Sequence, residues 1–166
     1  MDVLASQTAN ILLGLAVVAW LLWNQLRTRR VREKVAQLYI LLGVIGLAET
    51  YTTISEHASA VGAVAIIWIV ASLVAAALFG VIRATTVKIW RDTAGMAWRK
   101  GTAVTIILWI IALGIHFGFE FVIDHASAIA TLGSATFLLY LAISLGVQRE
   151  VVRQRALRIL QEVTIQ

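Results

Sequence analysis

The sequence predicts an all-α transmembrane fold: a five-helix membrane bundle with a short cytoplasmic β-hairpin between its third and fourth helices. Three observations carry that expectation. Hydrophobic residues make up 60% of the 166 and charged residues only 14%, too few polar groups to cover a water-soluble surface. The apolar residues gather into five runs long enough, or nearly so, to cross ~30 Å of hydrocarbon at about 1.5 Å per residue. The longest polar interruption, residues 83–102, alternates apolar and charged residues with the period of a strand.

The length fits a single domain, residues 1–166. There is no cysteine, which excludes disulfides, thiolate metal sites and cysteine nucleophiles. There is no proline to kink a helix. The start, Met1-Asp2-Val3, lacks the basic segment of a cleavable signal peptide, so none is expected.

The five runs cover about residues 3–26, 35–55, 58–82, 102–124 and 127–147. Only a helix satisfies its own backbone in lipid without closing into a barrel, so each is read as a helix. The first is the weakest, because Ser6, Gln7, Thr8 and Asn10 dilute its beginning. All 14 Lys and Arg fall in three places: Arg27 to Lys34, Arg83 to Lys100, and Arg149 to Arg158. Five spans put those places on one side of the membrane, and the positive-inside rule makes that side the cytoplasm of a bacterial inner membrane. The N-terminus is then outside and the C-terminus inside. The same rule accounts for the net charge of +5 without nucleic acid, for which no motif is present.

Gly114 and Gly118 in the fourth run, Gly43 and Gly46 in the second, and Gly62 with the alanines of the third offer small-residue surfaces for close packing, and such spacings are compatible with a homo-oligomer. Residues 148–163 place apolar side chains at spacings of three and four. They read as an amphipathic segment on the inner leaflet, as a continuation of the fifth helix, or as a solvated charged tail.

Within the polar interruption a hairpin is expected over residues 86–100. Asp92-Thr93-Ala94-Gly95 has the residues of a type I turn with a glycine bulge, a register that sets Trp90 opposite Trp98. Trp90, Trp98, Arg91, Arg99 and Lys100 suit the headgroup layer, so the hairpin is read as a surface for anionic lipid or a protein partner, or as a stiff re-entry device joining two spans. The pattern Arg83-x-Thr85-x-Val87-Lys88-Ile89-Trp90-Arg91-Asp92, then Gly95 and Trp98-Arg99-Lys100-Gly101-Thr102, resembles the CcdC-like family of small bacterial membrane proteins. The resemblance implies the same division of spans and an association with cytochrome c biogenesis. It implies no activity and assigns no functional residue, and the lack of cysteine excludes a direct thiol role in haem attachment.

The opposite side carries the chemically suggestive residues. His116, Glu120 and Asp124 are spaced four apart on the fourth run, and Glu49, Thr52, Thr53 and Glu56 form a stripe on the second. An outward-facing polar pocket between those two helices is expected, with Thr131, Ser134 and Asn10 within reach and Tyr51, Phe117, Phe119 and Phe121 as walls. It has four readings. His116 and Glu49 satisfy one another as a packing network. Glu49, His116, Glu120 and Asp124 hold a metal ion. His116 binds a haem, with His57 or His125 as the second ligand. Or the chain is a membrane-embedded enzyme in which Glu49, His116 and Glu120 perform acid–base chemistry on a lipid or isoprenoid substrate. The best functional expectation is a ligand-, ion- or partner-binding membrane protein, with the enzyme as alternative and the cofactor left open.

Overall fold

A computed structural model describes residues 23, 26–31, 37–127, 129 and 131–162. Its helices are α1 (Gln37–Glu56), α2 (Ala63–Thr86), α3 (Ala103–Ser127), the four-residue α4 (Leu132–Ala135) and α5 (Phe137–Glu162). Among the described residues four stretches are long and apolar enough to cross a membrane: Gln37–Glu56, Ala63–Thr86, Ala103–Ser127 and Leu132–Gln161. These match the second to fifth expected spans, and the chain is a multi-pass membrane protein by this criterion. The first expected span lies outside the described residues apart from Trp23 and Leu26, and Asn10 lies outside them too.

The distribution of side chains inverts that of a soluble protein. Large aliphatic residues point outward, as with Val64, Ile67, Val70, Val74 and Leu78 on α2 and Val104, Ile107, Ile110 and Ile111 on α3. The inward stripe of α2 is instead small or polar: Ala65, Ser72, Ala76, Gly80, Arg83 and Ala84, with Ile69. Lipid tails are as apolar as leucine, so helices in a bilayer associate through close packing of small residues and through polar contacts. A Cβ on Gly80 would stand 2.7 Å from the Ser144 carbonyl oxygen, so only glycine fits where α2 meets α5. Gly46 plays the same part between α1 and α5, where its Cβ would collide with the backbone of Leu138 and Leu139. Gly62, Gly114 and Gly118 have no close neighbour among the described residues.

The helix that organises the bundle is α5, which lies against both α1 and α2, while α3 packs along α2. It runs without a break from Phe137 to Glu162, so residues 148–162 continue the last span. At its far end Arg155 donates to the carbonyls of Ala84 and Val87 (3.2 Å to the latter), capping the end of α2. Next to that cap, Thr86 and Thr105 share a 2.8 Å hydroxyl hydrogen bond, and Thr102 and Thr105 form a reciprocal cap on α3. Threonines thus fix the end of α2 to the start of α3.

The expected hairpin is present as β2 (Lys88–Arg91) and β3 (Ala97–Lys100), shorter than residues 86–100 because Thr86 still belongs to α2. Trp90 pairs with Trp98, the expected register. Gly95 takes φ +79°, and its N–H donates to the Asp92 carbonyl at 3.0 Å. A third strand, β1 (Arg29–Arg30), was not expected; it joins the free edge of β3, giving the antiparallel order β1-β3-β2. Two strands alone are marginal in water, and the third strand supports them from one side. Support from below comes from Val151 and Val152 of α5, which pack with Val31, Val87 and Ile89.

Candidate functional site

The residues expected to line an outward pocket do not converge. Along α1 the inward position is Thr50, whose hydroxyl donates to the carbonyls of Gly46 (2.7 Å) and Ala135 (3.1 Å). One step back at 3.6 residues per turn rotates by about 100°, which leaves Glu49 exposed. His116 is fully buried and faces Tyr140 and Phe137 of α5, with ring centroids 4.4 and 5.1 Å apart. Neither of its nitrogens has a hydrogen-bond partner, so the expected His116–Glu49 pair is not formed.

Glu120 packs against Gly133, and Asp124 accepts the Gly133 N–H through Oδ1 at 2.7 Å. The Asp124 carboxylate and the stem of Glu120 thereby position the short helix α4. His57 and His125 are exposed and direct Nδ1 at carbonyls of their own helices, those of Thr53 and Phe121. Thr131 and Ser134 are exposed, Ser134 donating to the Thr131 carbonyl. Tyr51, Phe117 and Phe121 face outward and wall no pocket, while Phe119 packs near Trp68. Among the described residues no three His, Asp or Glu side chains come together to hold a metal ion, which separates Glu49, His116, Glu120 and Asp124 as a ligand set.

What does converge is a polar seam where α2, α3 and α5 meet. From α5 come Tyr140, Ser144 and Gln148, spaced four apart on one face, with Thr136 one step earlier in the turn between α4 and α5, and all four are buried. From α3 come Thr105, Trp109 and His116, and from α2 Ser72 and Arg83. The Tyr140 hydroxyl is satisfied, donating to the Ala112 carbonyl at 2.9 Å. Among the described residues, the buried side-chain N and O atoms without a partner all belong to this seam: Ser72 Oγ, Arg83 Nη1, Trp109 Nε1, both nitrogens of His116 and both amide atoms of Gln148. An orphaned buried polar atom costs about 1–3 kcal/mol, and more when charged. A cluster of them on one seam is therefore the feature that most needs a chemical reason.

Arg83 is its only charge. It lies one turn from the end of α2, where an arginine in lipid ordinarily extends its head toward water. Here the Cα–Cβ bond, tilted toward the helix start as in every α-helix, directs the side chain inward. Nε donates to the Phe79 carbonyl at 3.3 Å, and Nη2 donates to the Ser144 hydroxyl. The guanidinium stacks on Trp109, with Cζ 3.9 Å from the ring centroid. The residue is 0% exposed, and no described carboxylate pairs with it. What is left is an unpaired Nη1 in the polar seam, a donor suited to an anion.

The basic sheet is the second charged region. Its one acid, Asp92, is occupied internally: Met96 N–H and Trp98 Nε1–H donate to its two oxygens at 2.8 and 2.7 Å. Those two bonds, the backbone one foremost, hold its carboxyl below the usual carboxylate range. Trp98 therefore spends its indole N–H within the turn and not on a headgroup. Trp90, Arg91 and Lys100 are exposed, whereas Arg99 is half-buried.

Comparison with protein-family models, curated proteins and solved structures finds no match. The seam was nonetheless signalled in the sequence. Thr136, Tyr140, Ser144 and Gln148 recur every fourth residue in an otherwise apolar run, and Arg83 follows Ala76 and Gly80 at helical spacing. Reading Arg83 as the first residue of the polar interruption hid its membership of the helix.

Proposed function

We propose that the chain is a multi-pass protein of a bacterial inner membrane that binds a small anion, a carboxylate or a phosphate, on Arg83 within its helix seam. One observation carries the reading: a buried guanidinium, turned inward from a helix end, with a free nitrogen and no described acidic partner. An unpaired charge is costly in a low-dielectric interior, and an anion presented to the free edge of the guanidinium supplies both charge and hydrogen-bond acceptors. Trp109 Nε1 and the Gln148 amide add neutral donors that favour an oxyanion over chloride.

The distribution of Lys and Arg supports an orientation with the sheet in the cytoplasm, the N-terminus outside and the C-terminus inside. The site then lies in the inner half of the membrane, about one helical turn from the cytoplasmic end of α2. This moves the ligand site from the outer polar layer to the inner seam. The alternative, an acid–base enzyme, loses support because Glu49 is exposed and Glu120 is packed on Gly133. The CcdC-like resemblance is kept as a proposal of kinship, with an association with cytochrome c biogenesis, and supplies no residue role.

The test is thermal unfolding of the purified full chain in neutral detergent, titrated with acetate, phosphate or chloride at constant ionic strength. An oxyanion should raise the midpoint saturably, and Arg83→Gln should abolish the rise while keeping the helical circular dichroism. A midpoint indifferent to all three anions, or a rise retained in Arg83→Gln, overturns the proposal. A periplasm-active reporter fused after Gln166 should be silent; activity there reverses the orientation.

A further inference from the structure

His116 is the second basic group of the seam, and anion binding on Arg83 alone leaves it without a role. It stands near the middle of α3, seven residues from the Trp109 ring on which Arg83 stacks, or ~10 Å along the helix. Two contacts set α2 and α3 in register, Thr86 with Thr105 at one end and Trp68 with Phe119 toward the other. Ser72 is four residues from Trp68 and His116 three from Phe119, so the two share one depth. Both are fully buried, and neither Ser72 Oγ nor either His116 nitrogen has a partner.

The groups around the imidazole come from every neighbouring element. On α5 it faces Phe137 and Tyr140, whose hydroxyl is engaged at the Ala112 carbonyl. From α2 come Ser72 at the same depth and Arg83 nearer the sheet, with Tyr140 within electrostatic reach of that guanidinium. On its own helix Glu120 is one turn farther from the sheet and packed on Gly133, whose N–H Asp124 holds. The α1 helix turns Thr50 inward and leaves Glu49 exposed, with Tyr39 at its start beside the Trp109 cluster. Ahead of Trp23 the sequence has one charged residue, Asp2. No described carboxylate bonds to the imidazole.

A cation at His116 would have favourable and unfavourable neighbours. The Tyr140 and Phe137 rings lie 4.4 and 5.1 Å away, centroid to centroid, within the range at which a ring face attracts a cation. Arg83 repels it. An anion on Arg83 offsets that repulsion, so anion and proton favour one another, and by linkage each strengthens the other equally. Two unit charges ~10 Å apart at an effective dielectric constant near 20 change an affinity about tenfold to twentyfold.

We infer that the seam takes up a proton on His116 together with the anion on Arg83. This rests on the anion reading of Arg83 and adds its co-ligand. The bound pair brings no net charge into the low-dielectric interior, which is the condition a membrane sets for drawing an anion inward.

The experiment is calorimetric titration of formate into the purified full chain in neutral detergent. It is run between pH 5 and pH 8, where formate stays ionised, in two buffers of different ionisation enthalpy. The parent should bind formate roughly tenfold more tightly at the acid end, and the buffer difference should report proton uptake. His116→Gln should still bind formate, with no pH dependence and no uptake. The chain has three histidines, and His57 and His125 are exposed. A double variant, His57→Gln with His125→Gln, should keep both effects, which assigns the proton to His116 even where His116→Gln does not fold. Binding independent of pH in the parent, uptake that survives in folded His116→Gln, or uptake lost in the double variant would each overturn the inference while leaving anion binding on Arg83 standing. No formate binding at any pH overturns both.

Discussion

Arg83 and Asp124 are both ionisable residues carried by membrane-spanning helices, each near one end of its helix, and the bundle treats them in opposite ways. Asp124 directs its carboxylate at a backbone N–H, that of Gly133, and so joins α3 to the short helix that leads into α5. Its charge is used in construction. Arg83 commits Nε and Nη2 to a carbonyl and a hydroxyl of the bundle and leaves Nη1 without a partner. The difference teaches that an ionisable group in a span is not a functional site by its charge alone. What matters is how much of its bonding capacity the fold has already consumed.

The comparison can be broken most severely through the scaffold that holds Arg83. Gly80→Leu inserts a side chain where a Cβ alone would stand 2.7 Å from the Ser144 oxygen. It should cost well over the ~1–3 kcal/mol typical of overpacking, read as loss of a monodisperse folded peak in detergent. Asp124→Asn comes next. It weakens a charge-assisted bond to the Gly133 N–H, so unfolding should come earlier by about 1–3 kcal/mol, with the anion response at Arg83 retained.

Arg83→Met sharpens the contrast, because it removes a costly buried charge. Thermal stability should stay within about 1 kcal/mol of the parent or rise, while the anion response disappears. A large loss of stability there would make Arg83 a construction residue like Asp124.

The smallest expected effect is a pH dependence. The Asp92 pKa is lowered in the fold, so its contribution is complete above the ordinary carboxylate pKa and is lost as pH falls through the lowered value. Indole fluorescence should therefore report loosening of the sheet only in strong acid. Asp92→Asn should remove that acid step and leave the spans folded.

Much of the architecture was legible from hydropathy because lipid imposes it. Long apolar runs must be helices, and the turn chemistry of Asp92–Gly95 implies the Trp90–Trp98 register that the sheet adopts. The site was less legible for a physical reason. Which way a helix residue faces depends on the rotation of its helix, and a shift of one position carried Thr50 inward and Glu49 outward. Depth and charge drew attention to Glu49 and His116, yet packing decided which partners each one meets. The strand Arg29–Arg30 was missed because two residues carry no period. Its pairing is dictated by the free edge of β3, not by its own sequence.

The cap that Arg155 places on α2 has a consequence for the order of assembly. Arg155 follows Ala84 by 71 residues in the chain, so α2 emerges from the ribosome long before its terminal carbonyls can be satisfied. Until the last helix has inserted and reached across, that end is held only by water and by the neighbouring threonines. The contact therefore acts as a completion latch: a chain interrupted before residue 155 leaves the end of α2 without its cap. A protease that samples frayed ends would distinguish chains that carry this one side chain in place from those that stop short of it.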